Sequence, residues 1–535
     1  MTVLGYARRV SLAVSGAVRR FAQDPARGRV ALERAVPRLR SAEAVAAGAG
    51  AIDRAVAQDR YDDARALLEA MASPSPDRDS CALAVAGLGG HLADVASTRP
   101  QDARGRRAVR SAQRQLATLG RSVAMSAPRP LGGFPAADRD RMLHVVINSL
   151  PITQAGSTIR TQRIARAQRD MGWDAHVVTR PGYPVTHGEL WAPDIEMIDG
   201  VPYHRLLPGI IPADDKMLDV YVDMLGGLVD RLSPAVLHAA SDYVNAAAAL
   251  EVGRRRGIPV AYEARTFFEE MWLARHGGEA ARDTDQYLLL RARHDEVLRA
   301  ADVVTTLGTG MRDDIVARGV DPDRVFITPN AVPVDFLEPR DAEASRRELG
   351  LEPALWIGSV ATISPGEGLD TMVEAIRLLR DDGIDARALV VGDGPGLAAI
   401  RDQAAELGVP LIAPGRIPVA DVRPWFDALD VFALPRRDSA VHRSVTPLKP
   451  LEAQARGVPV VGSDLPAIAE VLAPGSPLVP AEDPGALAAA IAPWVDPVLR
   501  GEAGDRARAW VATTRTWPSV METYRAAYSC LGVPV

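Results

Sequence analysis

The sequence predicts an α/β protein: two successive domains built on parallel sheets, preceded by an all-α N-terminal domain. Three observations carry this. Short β-branched runs alternate with helical segments between residues 143 and 305, the alternation restarts after Pro339, and residues 21–125 show helical periodicity instead. Strands separated by helices read as a parallel sheet covered on both faces. The expected limits are 1–127 for the helical domain, 128–140 for a linker, 141–338 and 339–500 for the two α/β domains, and 501–535 for closing helices that pack back on the first of them.

Taken in order, Arg8-Arg9 and the apolar stretch Val10–Val18 imitate a twin-arginine leader. The stretch is short and runs into Arg19-Arg20 without a small-residue cleavage site, so a helix is expected there. Ala55–Met71 places apolar residues three and four apart, as one amphipathic helix or a helix pair would. Pro128–Pro135, rich in Pro and Gly, reads as linker.

The strands expected in the first α/β domain are Leu143–Asn148, Asp174–Thr179, Ala235–His238, Pro259–Tyr262 and Asp302–Thr305. Those of the second are Leu355–Gly358, Ala388–Val391, Pro410–Ala413, Val431–Leu434 and Pro459–Gly462. Two such units are Rossmann-like, and a ligand is expected in the cleft between them.

Composition excludes several classes. Apolar residues make up 47% and charged residues 24%, an ordinary globular balance. Cys81 and Cys530 are too few for a disulfide framework or a cysteine metal site. No apolar run is long enough to cross a bilayer. The net charge of −6 conceals an asymmetry: residues 1–140 carry 22 arginines and no lysine against 14 acidic residues. A basic leading segment on an acidic body suits an anionic membrane surface or an acidic partner better than specific nucleic-acid readout; a solvated helical surface accounts for it equally well.

Only Lys216 and Lys449 are lysines, and Lys449 lies in the strongest motif, Arg443–Val461. There Thr446-Pro447 is expected to cap and open a helix. Free N–H groups and the positive helix end attract phosphate oxygens, and Lys449 adds an ammonium in the first turn. Glu452, one turn on, suits a ribose diol. Phosphate donors beside a diol acceptor fit a sugar nucleotide.

With this motif the sequence resembles glycosyltransferase family 4, the retaining GT-B enzymes, and within it a bacterial branch reading TPLKPLEA, as Thr446–Ala453 does. Asn148–Thr161, Tyr262–Glu270, Pro329-Asn330-Ala331-Val332, Ile357-Gly358-Ser359, Glu367–Asp370, Val391–Pro395 and Gly415-Arg416-Ile417 are similar to further family segments, in order, as are Trp517, Tyr524 and Tyr528 of the closing helix. The resemblance implies transfer of a sugar from a nucleoside diphosphate sugar to an acceptor hydroxyl, with retention, no metal and no other cofactor. It implies catalytic roles for His238, Lys449 and Glu452. A nucleotide-sugar site would draw on Gly358, Ser359, Gly392, Arg416, Ile417, Arg443, Thr446, Pro447, Leu448, Lys449 and Glu452, and an acceptor site on Gly156, Arg160, Arg265 and Glu269.

Three departures from the family pattern involve four positions. Ser444 stands where the family places a first glutamate, and Ser359 and Glu367 where an Arg and a Lys grip the diphosphate; Lys449, Arg443 or Arg436 are substitute cations. Ala240 replaces a second histidine, leaving His238 as either a polar cleft residue or a satisfied strand-end residue. Arg265 and Glu269 read as a charged pair, for acceptor binding or for structure. Asp321-Pro-Asp323 reads as a turn that happens to look like a metal motif. Family analogy suggests a surface polysaccharide or glycolipid product, a glycan or lipid-linked acceptor, no nucleic-acid partner, and a cytoplasmic enzyme touching the membrane through residues 1–140. The competing readings are a non-catalytic nucleotide-sugar sensor or scaffold, and a glycan phosphorylase or hydrolase.

Overall fold

The computed structural model describes residues 49–69, 76–122, 127–131, 140–189 and 191–533. The leader-like segment and most of the expected linker lie outside these residues. The described chain forms two compact units. The first comprises described residues of Met1–Thr305 together with Arg318–Arg324 and Ala527–Val535; the second comprises Thr306–Ala317 and Val325–Ala526. The unit boundary thus falls near Thr306 and Val325 rather than at 338. The N-terminal helices form one unit with the first α/β domain.

The described part of the first unit begins with five helices: Ala49–Ala57, Tyr61–Glu69, Pro76–Leu88, Leu92–Ser97 and Ala103–Leu119. The described part of the periodic stretch that starts at Ala55 is therefore a helix pair, separated by Asp59 with φ +59°. Ile52, Ala55, Ala64, Cys81 and Val85 form its small core.

The α/β part follows with β1 (Arg141–Val146), β2 (Asp174–Thr179), β3 (Ile195–Ile198), β4 (Val201–Arg205), β5 (Val236–Ala240), β6 (Val260–Ala264) and β7 (Val303–Thr306). Their order in the sheet is β3-β4-β2-β1-β5-β6-β7. β1 pairs in parallel with β2 and β5, so the expected parallel core is present. β3 and β4 were not expected. They form an antiparallel edge hairpin closed by Asp199-Gly200, both with positive φ. An Asp-Gly pair is a strong two-residue hairpin signal and could have revealed them.

In the second unit a short strand, β8 (Val325–Ile327), precedes β9 (Leu355–Val360), β10 (Ala386–Val391), β11 (Leu411–Gly415), β12 (Val431–Leu434), β13 (Val460–Ser463) and β14 (Leu478–Val479). The six-stranded sheet runs β11-β10-β9-β12-β13-β14, and every pairing in it is parallel. The order reverses beside β9, which is where doubly wound sheets open a crevice at the carboxyl ends of their strands. One core packs helices Leu369–Asp381 and Pro484–Ile491 on one face; Trp356, Phe426 and Phe432 anchor a core on the other.

Candidate functional site

At the reversal point of the second unit, the loops after β9, β10 and β12 pack on one another without room for side chains. A Cβ on Gly392 (φ +138°) would lie 1.8 Å from the Ala361 carbonyl oxygen, and one on Gly394 (φ +157°) would lie 2.2 Å from that of Ile363. Gly368 (φ +66°) abuts the Pro435 carbonyl oxygen in the same way, at 1.9 Å. These glycines therefore shape the loops by close backbone approach. Gly358 and Ser359 sit inside β9 instead. A Cβ at Gly358 would lie 2.0 Å from the Leu389 carbonyl oxygen, and Ser359 is buried, so both belong to sheet packing.

The helix of the strongest motif spans Lys449–Ala455, with Leu448 at its N-cap and no side-chain cap. The expected opening at Thr446-Pro447 is corrected: Thr446 precedes a proline, which disfavours helical backbone there, and Pro450 occupies the first turn. Thr446 is buried with Pro447 and Leu448, and its carbonyl accepts from Asn330 Nδ2 at 2.9 Å. Pro450 has no N–H, and the amides of Leu451 and Glu452 both donate to the Leu448 carbonyl. The helix tip is thus poorer in free amides than expected.

Lys449 and Glu452 face each other. The Lys449 ammonium donates to Glu452 Oε2 at 2.8 Å and lies 5.8 Å from the Phe426 ring centroid. Glu452 is fully buried, while Lys449 keeps 27% of its side-chain surface. A ligand reaching this carboxylate must draw the ammonium away, and an anion is the group that does so.

The substitute cations are neutralised too. Arg436 forms a two-pronged pair with Glu367, at 3.1 and 3.0 Å. Arg443 grips Asp438 at the surface with two contacts of 2.5 Å. Arg416 is exposed just after β11, and Ile417 packs partly against the aromatic core. Sequence reading missed His442, which bonds the Arg437 carbonyl at 2.8 Å and sits where a Cβ on Gly366 would fall, 2.6 Å from its ring. The bulk-free Gly366 was the available signal.

In the first unit Gly156 opens the helix Gly156–Asp170 beneath an exposed loop, and a Cβ there would meet nothing within 4 Å. The charged residues expected beside it turn inward. Arg160 and Arg265 pair with the buried Glu263, each at 2.6 Å. Burial raises the Glu263 pKa, but the two guanidiniums and His238 outweigh it and hold the carboxyl well below the usual range. His238 is itself buried on β5, bonded to the Tyr528 hydroxyl at 2.5 Å and to Glu263 at 3.2 Å. Of its two readings, the satisfied strand residue is the one this geometry displays.

Arg265 and Glu269 are not a pair. Glu269 instead bonds His294 at 2.9 Å and Arg318 at 2.6 Å. Burial works against its charge, but those partners bring its pKa down to about 2. The buried Arg160, Arg265 and Glu269 thus hold the unit together, whereas the loop ahead of Gly156 is largely exposed. Asp321 accepts from the Asp323 amide at 3.0 Å, an Asx turn. Among the described residues no cluster of His, Cys, Asp and Glu is suited to a metal ion.

Two family models match these domains in chain order: a glycosyl transferase 4-like domain over residues 155–331 and glycosyl transferases group 1 over residues 354–496. The chain belongs to the glycosyltransferase family. It is 27% identical over 410 residues to a D-inositol 3-phosphate glycosyltransferase of Acidothermus cellulolyticus, covering 71% of this chain and 87% of that one. A namesake from Stackebrandtia nassauensis is 29% identical over 246 residues, 44% of this chain and 54% of that one. A lipopolysaccharide core mannosyltransferase of Rhizobium meliloti is 31% identical over 30% of this chain and 47% of its own length. The glycosyltransferase thus spans about half the length of most of these relatives. In fold it is similar to sucrose-phosphate synthase from Thermosynechococcus elongatus, with TM-score 0.58 at 17% identity, over 73% of this chain and 99% of that one. It is also similar to Anabaena HepE, solved with UDP-glucose, with TM-score 0.56 at 15% identity, over 73% and 99%. The two-domain GT-B fold is therefore that of this glycosyltransferase. No described helix is long and apolar enough to cross a membrane.

Proposed function

We propose that this glycosyltransferase moves a sugar from a nucleoside diphosphate sugar to an acceptor hydroxyl with retention and without a metal ion, as a member of the TPLKPLEA branch. The observation that carries this is the Lys449–Glu452 pair at 2.8 Å, within the second Rossmann-like unit. An incoming diphosphate competes for the ammonium, and the released carboxylate accepts from the ribose diol. One event thereby supplies both ends of nucleotide recognition.

Chemically, the departing diphosphate gathers negative charge as the glycosidic bond breaks. The Lys449 ammonium stabilises that charge, the kind of preorganised electrostatic help that dominates many enzymes. In a front-face reaction the leaving phosphate oxygen takes the proton of the acceptor hydroxyl, so no protein base is needed, consistent with a buried His238. Arg416 and Ile417 lie beside the base in this reading. The acceptor, a glycan or lipid-linked sugar, approaches the loop ahead of Gly156. The product is a surface polysaccharide or glycolipid made on the cytoplasmic face, with residues 1–140 against the membrane.

A panel of nucleoside diphosphate sugars in a thermal-shift assay, followed by release of nucleoside diphosphate with and without chelator, tests this. The reading requires one donor to raise Tm in wild type but not in Glu452→Ala, and to be turned over in chelator with the product anomer unchanged. Binding without turnover favours a scaffold; a shift that survives Glu452→Ala moves the nucleotide elsewhere.

A further inference from the structure

Helix Ala103–Leu119 of the first unit carries five arginines and no acidic residue. Arg104 is committed to Asp53. The other four, Arg106, Arg107, Arg110 and Arg114, make no ion pair or side-chain hydrogen bond with any described residue; Arg106 and Arg110 are exposed, and Arg107 and Arg114 half-buried. At 100° per residue they share one arc, directly opposite the buried Gly105, Val109, Ala112 and Leu119. The stripe runs about 12 Å along the helix axis. Most other described arginines are paired, so four unpaired neighbours on one helix are a local exception among the described residues.

The helix is also firmly fixed. Its apolar face shares a core with Tyr243, Leu289 and Leu290 of the α/β domain. Around it, Ser122 bonds Glu296 at 3.1 Å, Arg121 bonds Asp219 at 2.7 Å, and the Ala93 amide bonds Asp285 at 2.8 Å. Nearby, His276 stacks on Trp272 at 4.7 Å and reaches Asp59 at 3.1 Å. Whatever holds the stripe therefore holds the whole first unit.

We infer that the Arg106–Arg107–Arg110–Arg114 face is an electrostatic contact for an anionic lipid bilayer. This deepens the membrane part of the proposed function and does not depend on the donor chemistry. Guanidiniums match lipid phosphates in geometry and are weakly hydrated. The rest of the face is Ala, Ser, Gln and Thr, with no large apolar side chain to insert and no aromatic ring to stack on a nucleic-acid base. Binding is thus charge-driven, reversible and salt-sensitive, each arginine contributing roughly a fivefold factor in partition.

The test uses the full chain and sedimentation with vesicles of phosphatidylcholine alone or mixed with phosphatidylglycerol. Wild type should bind only the anionic vesicles and release with added salt. Substituting all four as Arg106→Gln, Arg107→Gln, Arg110→Gln and Arg114→Gln should weaken binding at least about tenfold. A control with Arg347→Gln and Arg525→Gln, at exposed sites in the second unit, should bind as wild type. Matching melting curves and donor turnover would show that the fourfold variant is folded. Undiminished binding by that variant overturns the stripe while leaving a membrane contact elsewhere. Failure of wild type to bind overturns both, and tighter stripe-dependent binding to a single-stranded oligonucleotide overturns the lipid assignment.

Discussion

Lys449 and Glu452 hold each other at 2.8 Å across one turn of helix, with the carboxylate fully buried and the ammonium partly exposed. In the proposed reading each stands in for part of the donor: the ammonium occupies the carboxylate, and the carboxylate shields the ammonium. Glu452→Gln keeps the shape and removes the charge, so donor affinity should fall about tenfold while the fold stays intact. Lys449→Met leaves the buried carboxylate without its ammonium and should lower stability by about 1–3 kcal/mol as well as kcat/KM. Calorimetric titration with the donor and denaturant melts would separate the two, and equal donor affinity in all three proteins would remove the pair from the site.

Much of this arrangement was legible in the sequence, and the limits have physical causes. Ten strands announced themselves as short apolar runs; nine are largely buried and need apolar side chains throughout, whereas β11 is an edge strand and only partly buried. β3 did not, since Ile195 and Met197 are exposed and the strand alternates. The lysine and glutamate of the motif were evident from spacing, but their mutual pairing was not. The fate of Arg160, Arg265 and His238 was hidden for another reason. All three converge on Glu263, which spacing alone did not single out, and only the tertiary structure shows that they already bond it.

The loop glycines make a sharper claim. At Gly392 both the positive φ and the 1.8 Å approach to the Ala361 carbonyl exclude a Cβ, and the obstacle is backbone, which cannot step aside cheaply. Gly392→Ala should cost more than about 3 kcal/mol, or displace the β10 loop and abolish donor binding. Gly383→Ala, where φ is +86° but nothing lies within 4 Å, should cost only about 1 kcal/mol. Urea melts of the two variants give the comparison; similar losses would mean that the close approach is not real.

The Tyr528 hydroxyl is shared by His238 at 2.5 Å and Gln168 at 3.1 Å, and Gln168 passes the chain on to His144 at 2.7 Å. Within the first unit, this ties the terminal residues around Tyr528 to β5 and β1 through buried polar groups. Tyr528→Phe preserves the ring but strands two partners, so stability should drop by about 1–3 kcal/mol. Hydrogen exchange should rise in residues 527–533 and along β5 together. If exchange rises at the terminus alone, the hydroxyl is not a link between them.

Acid should unfold the first unit through its buried histidines before its carboxylates. Burial and the neighbouring His238 bring the His144 pKa down to about 3, and burial with His176 beside it brings His204 to about 4. Unfolded, both return to about 6.5. Above that value they are neutral in either state and cost nothing. As pH falls below it, the unfolded chain binds protons that the folded chain refuses, so each histidine weakens folding by up to about tenfold per pH unit. The His204 contribution levels off near pH 4, where it becomes charged in place. Glu269, with its pKa near 2, adds a loss in the same direction only below about 4.5, the ordinary glutamate range. Denaturant midpoints should therefore slope downward from pH 6.5 to 4.5, and His144→Leu with His204→Leu should flatten that segment while leaving the steeper fall below it. A double variant with the wild-type slope would show that these imidazoles are already open to protonation.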